Sequence, residues 1–212
     1  MDILAEISKN LENGDDEQVG RLTREALDQK IPAKTILDNG LLAGMKTIGA
    51  KFKNHEIFLP DVLLAARAMY AGLDLLKPHL IADDVPMVGR VVLGTVQGDL
   101  HDIGKNLVGI MLKGAGFEIV DLGNDVPPER FINAALENEA SVIGLSALLT
   151  TTMPNMKKVV DLVREKGLSD RIKVIIGGAP VTEEYAGDIG ADAYAFDGVN
   201  SVDRIKQLLN IE

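Results

Sequence analysis

Between Val91 and Leu209 the chain alternates short apolar runs with stretches of helical spacing, and no other property of the sequence restricts the fold so much. The runs are Val91 to Val96, Phe117 to Leu122, Val142 to Leu148, Lys173 to Ile176 and Ala193 to Phe196. Helical segments follow each of them: one to Gly114, one from Pro128 to Glu137, one from Pro154 to Lys166, a short one from Thr182, and one from Ser201 to Leu209. A strand that must be followed by a helix before the next strand cannot turn back as a hairpin. The strands then run parallel, with helices over both faces. The expected architecture is α/β, a doubly wound five-stranded parallel sheet of flavodoxin/Rossmann-like type.

Residues 1 to 76 carry helical periodicity alone. Ile3, Leu4, Ile7 and Leu11 repeat at 3 to 4 residues before Asn13-Gly14 ends the segment. Asp15 or Asp16 can cap a second helix with Val19, Leu22, Ala26 and Leu27. A third follows Pro32 with Ile36, Leu37, Leu41, Met45, Ile48 and Phe52, and a fourth starts near Pro60 with Val62, Leu63, Ala66, Met69, Leu73 and Leu76. Four helices with short connections form an all-α four-helix bundle. From Lys77-Pro78 to Pro86 the periodicity lapses around Asp83-Asp84, which reads as a linker. The expected domains are a helical bundle with linker over 1–85 and the sheet domain over 86–212. In the turn before the fourth helix, Ile57, Phe58 and Leu59 are large apolar residues off any helical stripe. They either plug the bundle end, the plainer explanation, or cover a bound group.

A net charge of −10, from 22 basic and 32 acidic residues, gives no basic footprint for nucleic acid. Cysteine is absent, which excludes disulfides, thiolate zinc, iron–sulfur ligation and a cysteine nucleophile. A metal here is held by histidine, by carboxylate or by a prefabricated organic ligand. The acidic start Met1-Asp2-Ile3-Leu4-Ala5-Glu6 lacks a signal-peptide layout, and no apolar run nears the roughly 20 residues of a membrane span. A cytoplasmic protein with no membrane partner is expected.

In an open parallel sheet the ligand sits at the carboxyl ends of the strands. The first strand there breaks at Gln97-Gly98 into Asp99-Leu100-His101-Asp102-Ile103-Gly104-Lys105-Asn106, placing a histidine between a carboxylate and a glycine. The second offers the turn Gly123-Asn124-Asp125, the third ends in Ser146, Leu148, Thr150, Thr151 and Thr152, and the fourth in Gly177-Gly178, where a ligand can approach bare backbone. Singly, each has an ordinary explanation: a solvated histidine, a tight turn, a capping serine. Their occurrence together on successive strand ends favours a binding site. His55 and His79 lack comparable surroundings, and neither a dinucleotide fingerprint nor a P-loop is present.

Asp99-x-His101-x-x-Gly104, then 41 residues to Ser146-x-Leu148, then 28 residues to Gly177-Gly178, resembles the signature of cobalamin-binding domains in which a protein histidine replaces the cofactor's benzimidazole. The longer string from Gly98 to Asn106, with Phe58-Leu59-Pro60 in a preceding helical domain, is most similar to the corrinoid proteins of anaerobic methyltransferase systems and the matching module of cobalamin-dependent methionine synthase. The resemblance covers nearly the whole chain. It implies cobalamin or a related cobamide bound base-off/His-on, with His101 as lower axial ligand of cobalt. It further implies that Asp99 orients the ring and that Ser146 hydrogen-bonds Asp99 to complete a proton relay. Gly104, Leu148, Thr150, Gly177 and Gly178 would line the slot for the displaced nucleotide tail, and Phe58, with Leu59 and Val62 as weaker candidates, would cap the upper face of the corrin.

The same resemblance implies a methyl carrier cycling between cobalt(I) and methyl-cobalt(III). It would receive a methyl group from a donor-specific methyltransferase and deliver it to a second methyltransferase acting on tetrahydrofolate or a thiol, with a reductive activase as a further candidate partner. Such a chain is a non-autonomous subunit rather than a complete enzyme. A cobalamin-binding regulatory or sensor module is the alternative, and a mutase subunit is disfavoured because those modules do not usually carry a four-helix cap.

Overall fold

The computed structural model describes residues 2–82 and 87–211. The chain divides into two compact units, one of Met1–Pro86 with Gly114–Gly116 and one of Met87–Lys113 with Phe117–Glu212.

In the helical unit, α1 (Ile3–Glu12) and α2 (Asp16–Asp28) each begin at an aspartate whose carboxylate accepts a free backbone N–H, Asp2 from Leu4 and Asp15 from Gln18. The third helix runs from α3 (Ala33–Ile36) through a π-helical stretch, Leu37–Leu42, into α4 (Ala43–Lys53). Gly40, within that stretch, lies against Ile7 so closely that a Cβ would stand 3.0 Å from its Cγ2. The fourth, α5 (Leu59–Ala82), starts with Asp61 reaching back to the Phe58 N–H at 2.9 Å.

The expected lapse at Lys77-Pro78 is corrected: α5 continues through Pro78 to Ala82. Proline removes a single helical N–H donor, whereas stopping at Leu76 would forfeit the burial of Leu80 on the same stripe. The rest of the expected linker, residues 83–86, lies outside the described residues.

The second unit contains β1 (Arg90–Thr95), α6 (Ile103–Gly114), β2 (Glu118–Asp121), α7 (Pro128–Glu137), β3 (Val142–Ser146), α8 (Pro154–Glu165), β4 (Lys173–Gly177), α9 (Glu183–Ile189), β5 (Ala193–Ala195) and α10 (Gly198–Leu208). All strand pairs are parallel, in the order β2-β1-β3-β4-β5. Val92, Ile143 and Ile176 meet Phe131, Ile132, Val160 and Val163 from the helices, in a core where each side chain contributes about 1.5–3 kcal/mol by leaving water. β3 ends at Ser146, two residues short of the apolar run, and α10 begins at Gly198 because the Asp197 carboxylate accepts the Asn200 N–H at 2.7 Å.

This strand order places the topological switch between β1 and β3: the chain leaves β1 toward β2 on one side and returns to β3 on the other. The loops after β1 and β3 therefore open a crevice, with Thr95 and Ser146 level with each other and Ser146 level with Gly177. Among the described residues no helix is long and apolar enough to cross a membrane.

Candidate functional site

The loop from Gln97 to Asp102 sits at that switch point. Gly98 adopts φ +86°, a left-handed turn that lets the chain double back and drive the Asp99 side chain into the protein, where it is 0% exposed. A buried carboxylate is costly unless its lone pairs are filled. Five donors fill them. Oδ1 accepts from the His101 ring Nδ1 at 2.8 Å and the His101 backbone N–H at 3.1 Å. Oδ2 accepts from the Leu148 and Leu149 N–H groups at 2.8 and 3.1 Å and from the Thr152 hydroxyl at 2.8 Å. Burial pushes the Asp99 carboxyl up, but the His101 ring and backbone, the Leu148 N–H and the Thr152 hydroxyl outweigh it and hold Asp99 well below the ordinary carboxylate range.

An ionised Asp99 only accepts, so the Nδ1 beside it carries the ring proton and Nε2 keeps its lone pair. The His101 side chain is 52% exposed, so the ring is tied at one nitrogen and open at the other. Leu100 on the loop after β1, Ile103 at the start of α6, and Leu148 and Leu149 on the loop after β3 are exposed large apolar residues.

The expected contact between Ser146 and Asp99 is corrected: the hydroxyl that reaches the carboxylate belongs to Thr152. Ser146 closes β3, and its backbone carbonyl accepts the Val96 N–H. Beyond it the chain loops outward over Leu148–Thr151 and returns, so that Thr152, 6% exposed, faces inward at the entrance to α8. Thr152 Oγ1 also stands 2.8 Å from the Leu149 carbonyl. Its one proton goes to the charged acceptor. The alternation Ser146, Leu148, Thr150, Thr152 carried this signal, since four hydroxyls crowd the loop, but only the path of the chain selects one.

Other contacts hold the histidine loop in place. The buried Thr95 hydroxyl donates to the His101 carbonyl at 2.9 Å, Asn155 Nδ2 to the Gln97 carbonyl at 2.7 Å, and Asp125 accepts the Gly98 N–H at 2.7 Å while giving its own N–H to the Asp99 carbonyl at 3.0 Å. Behind the loop, buried Lys105 bonds both Asp121 carboxylate oxygens at 2.6 and 2.7 Å, tying the start of α6 to the end of β2. Sequence reasoning did not single out Thr95, Lys105 or Asn155.

Of the remaining expected residues, Gly104 has open space where a Cβ would stand. At Gly178, with φ +134°, a Cβ would fall 1.9 Å from the Ala147 carbonyl oxygen, and at Gly177 it would fall 2.8 Å from that of Ala195, so only bare backbone fits. Leu148 and Thr150 are exposed on the β3 loop. In the helical unit Phe58 is 69% exposed, together with Leu63 and Leu64, whereas Val62 is fully buried and faces the bundle core.

These residues fit a corrinoid. The site offers a metal one imidazole, which suits a metal that brings its other ligands with it, as in a macrocycle. The exposed apolar side chains suit a flat ring, and the open space at Gly104 and the bare backbone at Gly177-Gly178 suit a tail.

Two models described as B12 binding domain match the chain, over residues 89–205 and 3–77. The chain is 46% identical over 180 residues to dimethylamine corrinoid protein 3 of Methanosarcina acetivorans, covering 85% of this chain and 84% of the relative. It is 39% identical over 212 residues to a corrinoid protein of Desulfitobacterium hafniense, covering 99% and 98%. The crystal structure of the methanol:cobalamin methyltransferase complex of Methanosarcina barkeri aligns with a TM-score of 0.89 at 28% identity, over 98% of this chain and 80% of that one.

A half-open imidazole backed by a buried acid, at the switch point of a doubly wound sheet, defines a cobalamin-binding protein. The chain belongs to the B12-binding domain family, among the corrinoid proteins of anaerobic methyltransferase systems.

Proposed function

We propose that this chain is a methyl carrier, receiving a methyl group from a donor-specific methyltransferase and delivering it to a second methyltransferase that acts on tetrahydrofolate or a thiol. The observation that carries the reading is the His101 ring, bound through Nδ1 to buried Asp99 and open at Nε2. The corrinoid supplies a cobalt that alternates between cobalt(I) and cobalt(III) as it accepts and releases the methyl group.

His101 would hold the corrinoid's cobalt through Nε2, with Asp99 fixing the tautomer and aiming the ring. Were His101 released from the metal, Nε2, the nitrogen with a free lone pair, would be the atom able to hold a proton. Asp99 stays a carboxylate, since protonating it would break one of its five donor contacts. An imidazolium held there would face the Asp99 carboxylate, to which Thr152 donates from the far side. Gly104, Leu148, Thr150, Gly177 and Gly178 would line the slot for the tail, with Ser146 level with Gly177 in the sheet. The exposed Phe58 supports a role in covering the upper face and excluding water. The names of the relatives support methyltransferases as partners, and a reductive activase would restore cobalt(I) after adventitious oxidation.

Anaerobic loading with hydroxocobalamin tests the reading. The wild type retains one cobamide per chain, and after reduction and methylation with methyl iodide it passes the methyl group to tetrahydrofolate or a thiol when an acceptor-side methyltransferase is added. His101→Ala binds more weakly and shows no histidine nitrogen in the cobalt(II) electron paramagnetic resonance (EPR) spectrum. A wild type that stays colourless overturns the proposal.

A further inference from the structure

Aiming an imidazole needs two constraints, one on the ring and one on the peptide that carries it. Asp99 supplies the first by binding Nδ1, and by taking the His101 N–H it also fixes one end of that residue. The other end is the His101 carbonyl, and its partner is the hydroxyl of Thr95 at 2.9 Å. Thr95 is the last residue of β1 and is 0% exposed. Its N–H goes to the Gly123 carbonyl at 2.9 Å and its carbonyl takes the Val126 N–H at 3.0 Å, so its backbone is immobilised between loops and its side chain inherits that rigidity.

We propose that Thr95 is a positioning residue for the axial histidine: its hydroxyl holds the His101 peptide plane, and through it the direction of Nε2. This rests on His101 being the cobalt ligand. Without the hydroxyl, the partly buried carbonyl loses its donor, a loss relieved by rotating the carbonyl toward water. That rotation turns the Cα–Cβ bond and swings the ring, while the sheet behind it is unchanged.

Valine matches threonine in shape and suits a strand, so Thr95→Val removes the hydroxyl and little else. The protein is loaded with cobalamin and held in the cobalt(II) state, and the EPR spectrum is read for coupling to a histidine nitrogen, identified by 15N-histidine labelling. In Thr95→Val the ratio of histidine-coordinated to uncoordinated cobalt falls about tenfold, equivalent to about 1.4 kcal/mol, whereas Thr95→Ser keeps the wild-type ratio. In the cofactor-free protein, the long-range 1H–15N spectrum of His101 shows a single Nδ1–H tautomer in wild type and Thr95→Ser, and tautomer averaging in Thr95→Val. If Thr95→Val does not reach the wild-type circular dichroism, Thr95→Ala replaces it and must show the same loss against Thr95→Ser. Wild-type coupling and a single tautomer in the hydroxyl-free variant overturn the proposal. A wild-type spectrum without histidine coupling instead overturns the reading of His101 as ligand, so the two failures are distinct.

Discussion

Thr152 Oγ1 stands 2.8 Å from Asp99 Oδ2, although 53 residues separate the two in the chain. Ser146, the hydroxyl that the sequence motif points to, makes no such contact. Thr152→Val removes a donor from a buried carboxylate and is expected to destabilise the cofactor-free protein by about 1.5–3 kcal/mol. Ser146→Ala should change it by no more than about 0.5 kcal/mol. Urea denaturation of the two variants beside wild type measures both, and the reverse order would assign the relay hydroxyl to Ser146.

Asp99 also sets a dependence on acid. Its folded carboxyl lies below the ordinary range, so its stabilisation is fully present above the unfolded value and is lost as pH falls toward the depressed folded one. The stability difference between wild type and Asp99→Asn should be flat above about pH 5 and shrink steadily below about pH 4. Denaturation curves from pH 7 to pH 3 check the sign. A difference that grows on acidification would mean that Asp99 is protonated in the folded protein.

Two glycines proposed to line the tail slot should respond in opposite ways. At Gly104 a side chain meets empty space, so Gly104→Val leaves the melting temperature of the cofactor-free protein within a few degrees of wild type but weakens cobamide binding. At Gly178 a Cβ collides with the Ala147 backbone, and φ +134° is unsuited to any L side chain, so Gly178→Ala loses at least about 1–3 kcal/mol before any cofactor is added. Calorimetry without cofactor and absorbance titration with it separate the two effects. Equal melting losses would show that the space at Gly104 is needed by the fold itself.

The sheet was legible because burial on both faces leaves parallel strands uniformly apolar, and the interrupting helices give the alternation away. Helix ends were read less well where a local cue conflicted with burial. Pro78 suggested a stop, yet Leu80 kept the helix going, and Ser201 looked like a start although Asp197 caps the helix earlier. The π-helical stretch at Leu37–Leu42 was not legible, because Leu37 and Leu41 keep the four-residue spacing of an ordinary helix.

In the candidate site, Asp99 and His101 could be paired from sequence because they are two residues apart and one turn brings them together. Thr95 and Thr152 could not. Their roles depend on which way a strand's last residue faces and where a loop returns, and both are settled by packing across the β1–β3 crevice.

That crevice has a consequence for biosynthesis. Three of the five donors on Asp99 lie on the loop after β3, so a ribosome-bound chain that has not yet emerged past Thr152 carries a carboxylate satisfied only on its His101 side. An Asp99 carboxylate bonded at both oxygens is therefore a mark that β1 and β3 have come into register.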